Sequence, residues 1–149
     1  MVKNSKDYLQ LADLKVFDYN ATKTNVDALF SKYRRYKSKE DIIRKRYSAS
    51  LSLDNLGIFS NGTSDPVGNK IEQLEKYQKF ISTVDEVFKQ NIGELSKDEV
   101  IIYKKYLIDR LPEEKLMEYL NINSSSSLYA RKRSCIIKVA MWFDLEVYK

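Results

Sequence analysis

The residues with the clearest chemical capacity lie close together near residue 130. Ser124, Ser125, Ser126 and Ser127 are consecutive, Tyr129 follows, then Arg131-Lys132-Arg133, then Lys138. Serine hydroxyls and the free N–H groups at a helix start donate to phosphate oxygens. Lys and Arg neutralise phosphates, and Arg also matches the edge of guanine. The set therefore suits binding of a polyanion. The plainer reading keeps one serine as a true helix cap and treats the basic triplet as a solvated face. Its position behind a two-helix unit of suitable length favours contact with DNA.

Catalysis finds little support. The chain of 149 residues has no His and one Cys, Cys135. Zinc sites with Cys/His ligands cannot be assembled from it, nor can a Ser–His or Cys–His nucleophile pair. Acidic residues occur singly among basic ones, with no paired constellation, Gly-rich phosphate loop or metal spacing. No enzyme activity, metal or cofactor is expected. A lone Cys cannot close an internal disulfide, so a reducing compartment is natural. No apolar run approaches the roughly 20 residues of a membrane span. The opening MVKNSKDYLQ lacks the apolar core of a signal peptide. The expectation is a cytoplasmic protein without membrane association.

The elements that must position the basic set run from Leu95 to Lys138. Ser96-Lys97-Asp98-Glu99 has the spacing of a capping box. A helix from there to about Ile108 would bury Val100, Tyr103 and Leu107, with Ile101 a further candidate. Asp109-Arg110-Leu111 connects it to a second helix, where Pro112 suits the first turn. Glu113 and Glu114 complement that helix's dipole. Leu116, Met117 and Leu120 point inward, the helix stops near Asn121, and Ile122 pins the turn. The third helix runs from Ser124 to about Trp142. It directs Leu128, Cys135, Ile136, Val139, Ala140 and Phe143 to the core. Tyr129, Arg131, Lys132, Arg133 and Lys138 are left for the outside.

Upstream, residues 5–15 read as a short helix capped by Ser5, with Phe17 and Tyr19 anchoring the connection that follows. Residues 21–47 read as a long helix capped by Asn20, Thr22 or Thr24. Val26, Leu29, Phe30, Tyr33, Tyr36 and Ile43 form its apolar stripe. Lys32, Arg34, Arg35, Lys37, Lys39, Arg44, Lys45 and Arg46 lie on the other side, either as a solvated face or as a second phosphate-contacting surface, for which Arg34, Arg35, Lys37, Arg44, Lys45 and Arg46 are the candidates. Residues 48–69 hold three of the four Gly and many Ser and Asn, which reads as a loop. Residues 67–91 read as an amphipathic helix that packs on the helices after it or pairs with a second copy. Two domains are expected, 1–66 and 67–149. The charge supports this division of labour: residues 1–47 carry twelve Lys/Arg against six Asp/Glu, and residues 123–149 carry five against two. Two basic regions flank a mildly acidic middle.

Leu95-Ser96 with Glu99-Val100, the Tyr106-Leu107 helix end, Glu113-Glu114 with Leu116, the Leu120-Asn121-Ile122 turn and Ser126 to Leu128 together resemble the fourth region of bacterial sigma factors. That region is a helix-turn-helix that reads the promoter −35 element. Asn121 stands where Gly is usual, which Asn tolerates by entering the left-handed region. The four serines add one residue before Leu128, leaving the register of the first base-contacting positions open. With its basic helix of the KYRRYK kind and its Ser/Gly-containing middle, the whole chain is similar to ArpU/RinA/LtrC-type late-gene transcriptional regulators of phages of Gram-positive bacteria.

The expected fold is all-α: an N-terminal helical region joined by a Ser/Gly-containing loop to a sigma-region-four-like helix-turn-helix. The resemblance implies a transcription activator of phage packaging, structural and lysis genes in the bacterial host. Its partners would be double-stranded promoter DNA and RNA polymerase. Homo-oligomerisation and a protein inhibitor or co-regulator are left open. Two other classes stand beside this reading. One is a small terminase-like DNA-packaging protein, and the other is a protein–protein interaction module that binds no DNA.

Overall fold

Few helix breakers and long 3–4 apolar spacings give a chain built from helices. The computed structural model describes residues 16–54 and 66–149, with the side chains of 16–46 and 68–149. Among these residues the fold is all-α. Helix α1 is Tyr19–Asp54 and α2 is Pro66–Asn91, ending in a 3₁₀ turn, Ile92–Glu94. Helix α3, Lys97–Ile101, continues directly into a π-helical stretch, Ile102–Ile108. Helices α4, Glu113–Leu120, and α5, Ser125–Trp142, follow, joined by a short turn at 121–124. None of the described helices is long and apolar enough to cross a membrane. The expected helix at 5–15 lies outside the described residues, as does 55–65 of the expected loop. The flanks of that loop are helical instead, through Asp54 and from Pro66.

Two compact units form, and neither matches 1–66 or 67–149. Of the described residues, the first joins 16–31 with Val87–Lys149, and the second is 32–54 with 66–86. Each long helix contributes to both units. The reason is the length of the apolar stripe on α1. Val26 and Phe30 are buried in the first unit, and Tyr33, Tyr36 and Ile43 in the second. Helix α2 behaves likewise. Most of it pairs with α1 instead of the later helices, and only its end, at Phe88, stacks on Tyr103 with ring centroids 4.1 Å apart.

In the second unit the two helices run antiparallel. Tyr33 Oη donates to Asp85 Oδ1 at 2.6 Å, while Tyr36 meets Tyr77 and Phe80 farther along. Ile81 and Val84 bury the α2 side of the seam.

In the first unit α5 is central. Cys135 to Ala140 are all buried, so this half of the helix is enclosed on every side. Leu128, Ile136, Ile137 and Val139 have no exposed surface, and each contributes about 1.5–3 kcal/mol of apolar burial. The π stretch alters the face expected for the preceding helix. With a wider turn, residues five apart come into line, and Ile102 is buried together with Leu107. Val100, expected inside, is only half-buried.

The start of α1 is fixed by one local cap and by contacts to distant residues that no local pattern announces. Asp18, not Asn20, Thr22 or Thr24, accepts from the N–H of Ala21. Thr22 is fully buried, and its Oγ1 accepts from the N–H of Val147 at 2.9 Å. The N–H of Asp18 donates to the carbonyl of Val147 at 2.8 Å, and Phe17 stacks on Tyr148. Phe17 and Tyr19 are buried, as anchors should be.

Three helix ends close on left-handed residues that are not Gly: Arg110, Asn121 and Asp144. Asn121, at φ 54°, ends α4. Its N–H donates to the carbonyl of Glu118 at 3.2 Å, and the N–H of Ile122 donates to Met117 at 3.0 Å. These are the two bonds of a Schellman closure. The turn ahead of α5 is thereby set by backbone geometry. Asn121→Ala should lower stability by about 1 kcal/mol, because a Cβ without a polar tip is disfavoured there. Asn121→Gly should leave the urea midpoint level or raise it. Equal losses in both variants would show that the Asn side chain matters instead of the backbone angle.

Candidate nucleic-acid interface

The helix that carries the basic set begins at Ser125. Ser124 is extended (φ −121°, ψ 128°), and its Oγ accepts from the N–H of Ser127 at 3.3 Å. Ser124 is thus the one true cap among the four serines. Its hydroxyl also lies 2.8 Å from that of Ser126. Ser124, Ser125 and Ser126 are exposed, Ser127 is half-buried, and Leu128 is fully buried. Tyr129 and Ala130 are the next exposed positions. Cys135 to Ala140 are enclosed, so the first ten or so residues of α5, about 15 Å of helix, form its main open stretch.

The basic triplet is anchored in three directions. Arg131 forms an ion pair with Asp98 through Nη1. Lys132 Nζ lies 4.0 Å from the centroid of the Tyr106 ring, in the π stretch. Arg133 sets its guanidinium 4.8 Å from the Tyr19 ring at the start of α1, with its Nε enclosed. Tyr129 meets the same Tyr19 ring edge-on. All three basic side chains are half-buried. Asp98 balances the charge of Arg131. A ring face does not cancel a cation, so Lys132 and Arg133 carry the positive charge this helix presents.

Lys138 departs from the expected outward position. It is 9% exposed, its Nζ donates to Glu99 Oε1 at 2.8 Å, and it also donates to the carbonyl of Glu94 at 3.1 Å. The physical reason is a polar stripe along α5 at helical spacing: Arg131, Ser134, Lys138 and Trp142. Ser134 Oγ donates to Glu99 Oε2 at 2.8 Å, and Trp142 Nε1 donates to Glu94 Oε2 at 2.6 Å. The stripe grips Glu94, Asp98 and Glu99. Sequence reasoning placed Lys138 outside because it is charged. The signal against this was its place inside the apolar run Cys135–Ala140.

Glu99 is the hub of that grip. The capping box forms as its spacing predicts: Glu99 N–H donates to Ser96 Oγ at 3.2 Å, and Ser96 N–H donates to Glu99 Oε1 at 2.8 Å. The carboxylate is nevertheless buried, at 4% exposure, which a capping box does not require. Burial pushes its pKa up, but hydrogen bonds from Lys138, the Ser96 backbone and Ser134 outweigh this and hold it below the usual carboxylate range. Cys135 donates its thiol to the Glu99 carbonyl at 3.5 Å, and burial pushes that thiol well above its ordinary pKa. A thiol so placed is not a nucleophile.

Helix α4 adds little positive charge to this surface. Glu113, Glu114 and Glu118 are exposed, and Lys115 lies 3.8 Å from Glu118. The second basic set lies in the other compact unit. There Arg35, Lys37 and Arg46 are exposed and Arg34 is half-buried. Arg44 pairs with Glu40 and Lys45 with Asp41. The charge of those two is locally balanced, so this set is a weaker phosphate surface than its sequence suggests. Comparison with protein-family models, curated proteins and solved structures found no match.

The Glu99–Lys138 pair generates two predictions. Glu99→Gln should cost about 3 kcal/mol, since it leaves a buried ammonium without its counter-charge. Glu99→Gln combined with Lys138→Met should recover a large part of that loss in urea denaturation. Simple addition of the two single losses would exclude coupling. The depressed pKa of Glu99 also fixes the sign of the pH dependence. Its stabilisation is complete above the unfolded value, about 4.3, and is lost as pH falls through the lower folded value. Wild-type stability should therefore decline more steeply in acid than that of the double variant.

Proposed function

We propose that this protein is a sequence-specific DNA-binding transcription activator, with the first turns of α5 entering the major groove of promoter DNA. The observation that carries this reading is the exposed, Ser-capped start of α5, held against α3 by buried polar contacts. It follows a turn whose backbone is closed at Asn121. A groove-reading helix needs those properties: accessible N-terminal residues and a rigid mount. Ser124, Ser125 and Ser126 supply hydroxyls for phosphate or base edges, and Tyr129 is the large exposed side chain beside them. Lys132 and Arg133 supply charge. Arg131 mainly holds the helix through Asp98.

The finer reading rests on the resemblance to phage late-gene regulators. On it, the protein acts in the bacterial host cytoplasm, on promoters of packaging, structural and lysis genes, with RNA polymerase as partner. The decisive experiment is selection of bound fragments from the parent genome, followed by footprinting of the selected DNA. One protected site upstream of a late operon is the expected result. Recovery of no fragment would end the DNA reading.

Within that reading, Lys132→Ala with Arg133→Ala should weaken DNA binding and reduce the slope of log affinity against log salt by about two. Arg131→Ala should change the slope less and the melting temperature more. Fluorescence anisotropy across a salt series, with a thermal melt of each variant, measures both. An unchanged salt slope in the Lys132/Arg133 variant would remove these residues from the interface.

A further inference from the structure

A groove in the second unit lies outside the surface described so far. Lys32, Tyr36, Lys76, Lys79, Phe80 and Thr83 line it, and its volume is about 320 Å³. The floor is the Tyr36–Phe80 pair, edge-to-face with centroids 5.1 Å apart. Lys32 Nζ lies 4.6 Å from the Phe80 centroid and 5.3 Å from that of Tyr36. On the α2 side, Lys76, Lys79 and Thr83 are exposed, and their spacing puts them on one helix face. Lys32, Lys76 and Lys79 form no ion pair among the described residues, unlike Arg44 and Lys45 of the same unit.

We propose that this groove docks an acidic peptide segment of a partner protein. One bulky apolar side chain rests on the Tyr36–Phe80 floor, and flanking Asp or Glu residues face the three lysines. Charge complementarity selects the occupant. Three uncompensated cations around an apolar floor favour a ligand that brings negative charge and a hydrophobic anchor together. The volume sits at the small end of ligand clefts, roughly 300–1,000 Å³. It therefore takes one or two side chains of a segment laid across it, as in helix-in-groove recognition. A nucleic acid fits less well. Tyr36 is buried and meets Phe80 edge-on, so the floor is an edge-to-face corner that takes a compact side chain, not the broad parallel ring face that base stacking needs. All lining residues belong to the second unit, so the proposal is independent of the DNA reading.

The test pans a displayed library of random peptides of about twelve residues against the full chain. Fluorescence polarisation then measures the enriched sequences. The expected winners carry at least two acidic residues around a Leu, Ile or Phe. Their affinity should fall about tenfold in Lys76→Glu/Lys79→Glu. It should fall similarly in Thr83→Trp, which fills the groove from an exposed position. Both variants should keep the wild-type melting temperature. The proposal fails if no sequence is enriched, if the enriched peptides lack acidic residues, or if binding ignores both variants. It also fails if the charge reversal only weakens DNA retention, for the lysines would then serve nucleic acid.

Discussion

The buried ion pair of Glu99 with Lys138 is the constraint on which the packing of α5 against α3 depends. It sits where the cap of α3 meets the middle of α5, and it is surrounded by the bonds of Ser96, Ser134 and the Glu94 carbonyl. An apolar contact allows helices to slide or rotate at small cost. A buried carboxylate with all its partners in place does not, since any shift leaves charge unpaired in a poor solvent. Such a pair is weak evidence for high stability. Its physical effect is to select one orientation of α5, and with it the direction of Ser125, Ser126 and Tyr129.

The polar stripe also divides α5 into two functions along one helix. Its later half is core, with Ile136, Ile137 and Val139 fully buried. Its earlier half is held at its edges by Asp98, Tyr106 and Tyr19, while its tip stays open. Basic residues beside aromatic rings keep their charge yet lose rotamer freedom. An anionic partner at this surface would meet cations that are already oriented, at a lower entropic cost of ordering.

Much of this was legible in the sequence wherever the cause is local. The capping box, the Asn121 turn, the serine cap and the all-helical character follow from spacings of three or four residues. What was not legible depends on distant partners. The assignment of Lys138 to the surface follows from charge alone, whereas its position is set by Glu99, 39 residues away. The tie between Thr22 and Val147 spans 125 residues and leaves no periodic trace in either segment. The π stretch at Ile102–Ile108 moves Ile102 inside, and an α-helical period cannot anticipate that. The division into 1–66 and 67–149 rested on composition, whereas the compact units follow how far each apolar stripe extends.

The antiparallel pairing of Tyr33 with Asp85 has a topological consequence. The second unit is an insertion within the first, whose two pieces are joined through roughly 55 intervening residues. Closing an unstructured loop of that length would cost about 3–4 kcal/mol of chain entropy. If the hairpin forms first, its seam brings residue 33 beside residue 85 and leaves the first unit only a short gap to close. Folding should then have an order: the local hairpin first, the discontinuous unit afterwards. The hairpin is a clamp on chain entropy, and a substitution that loosens it would weaken the first unit without touching any of its contacts.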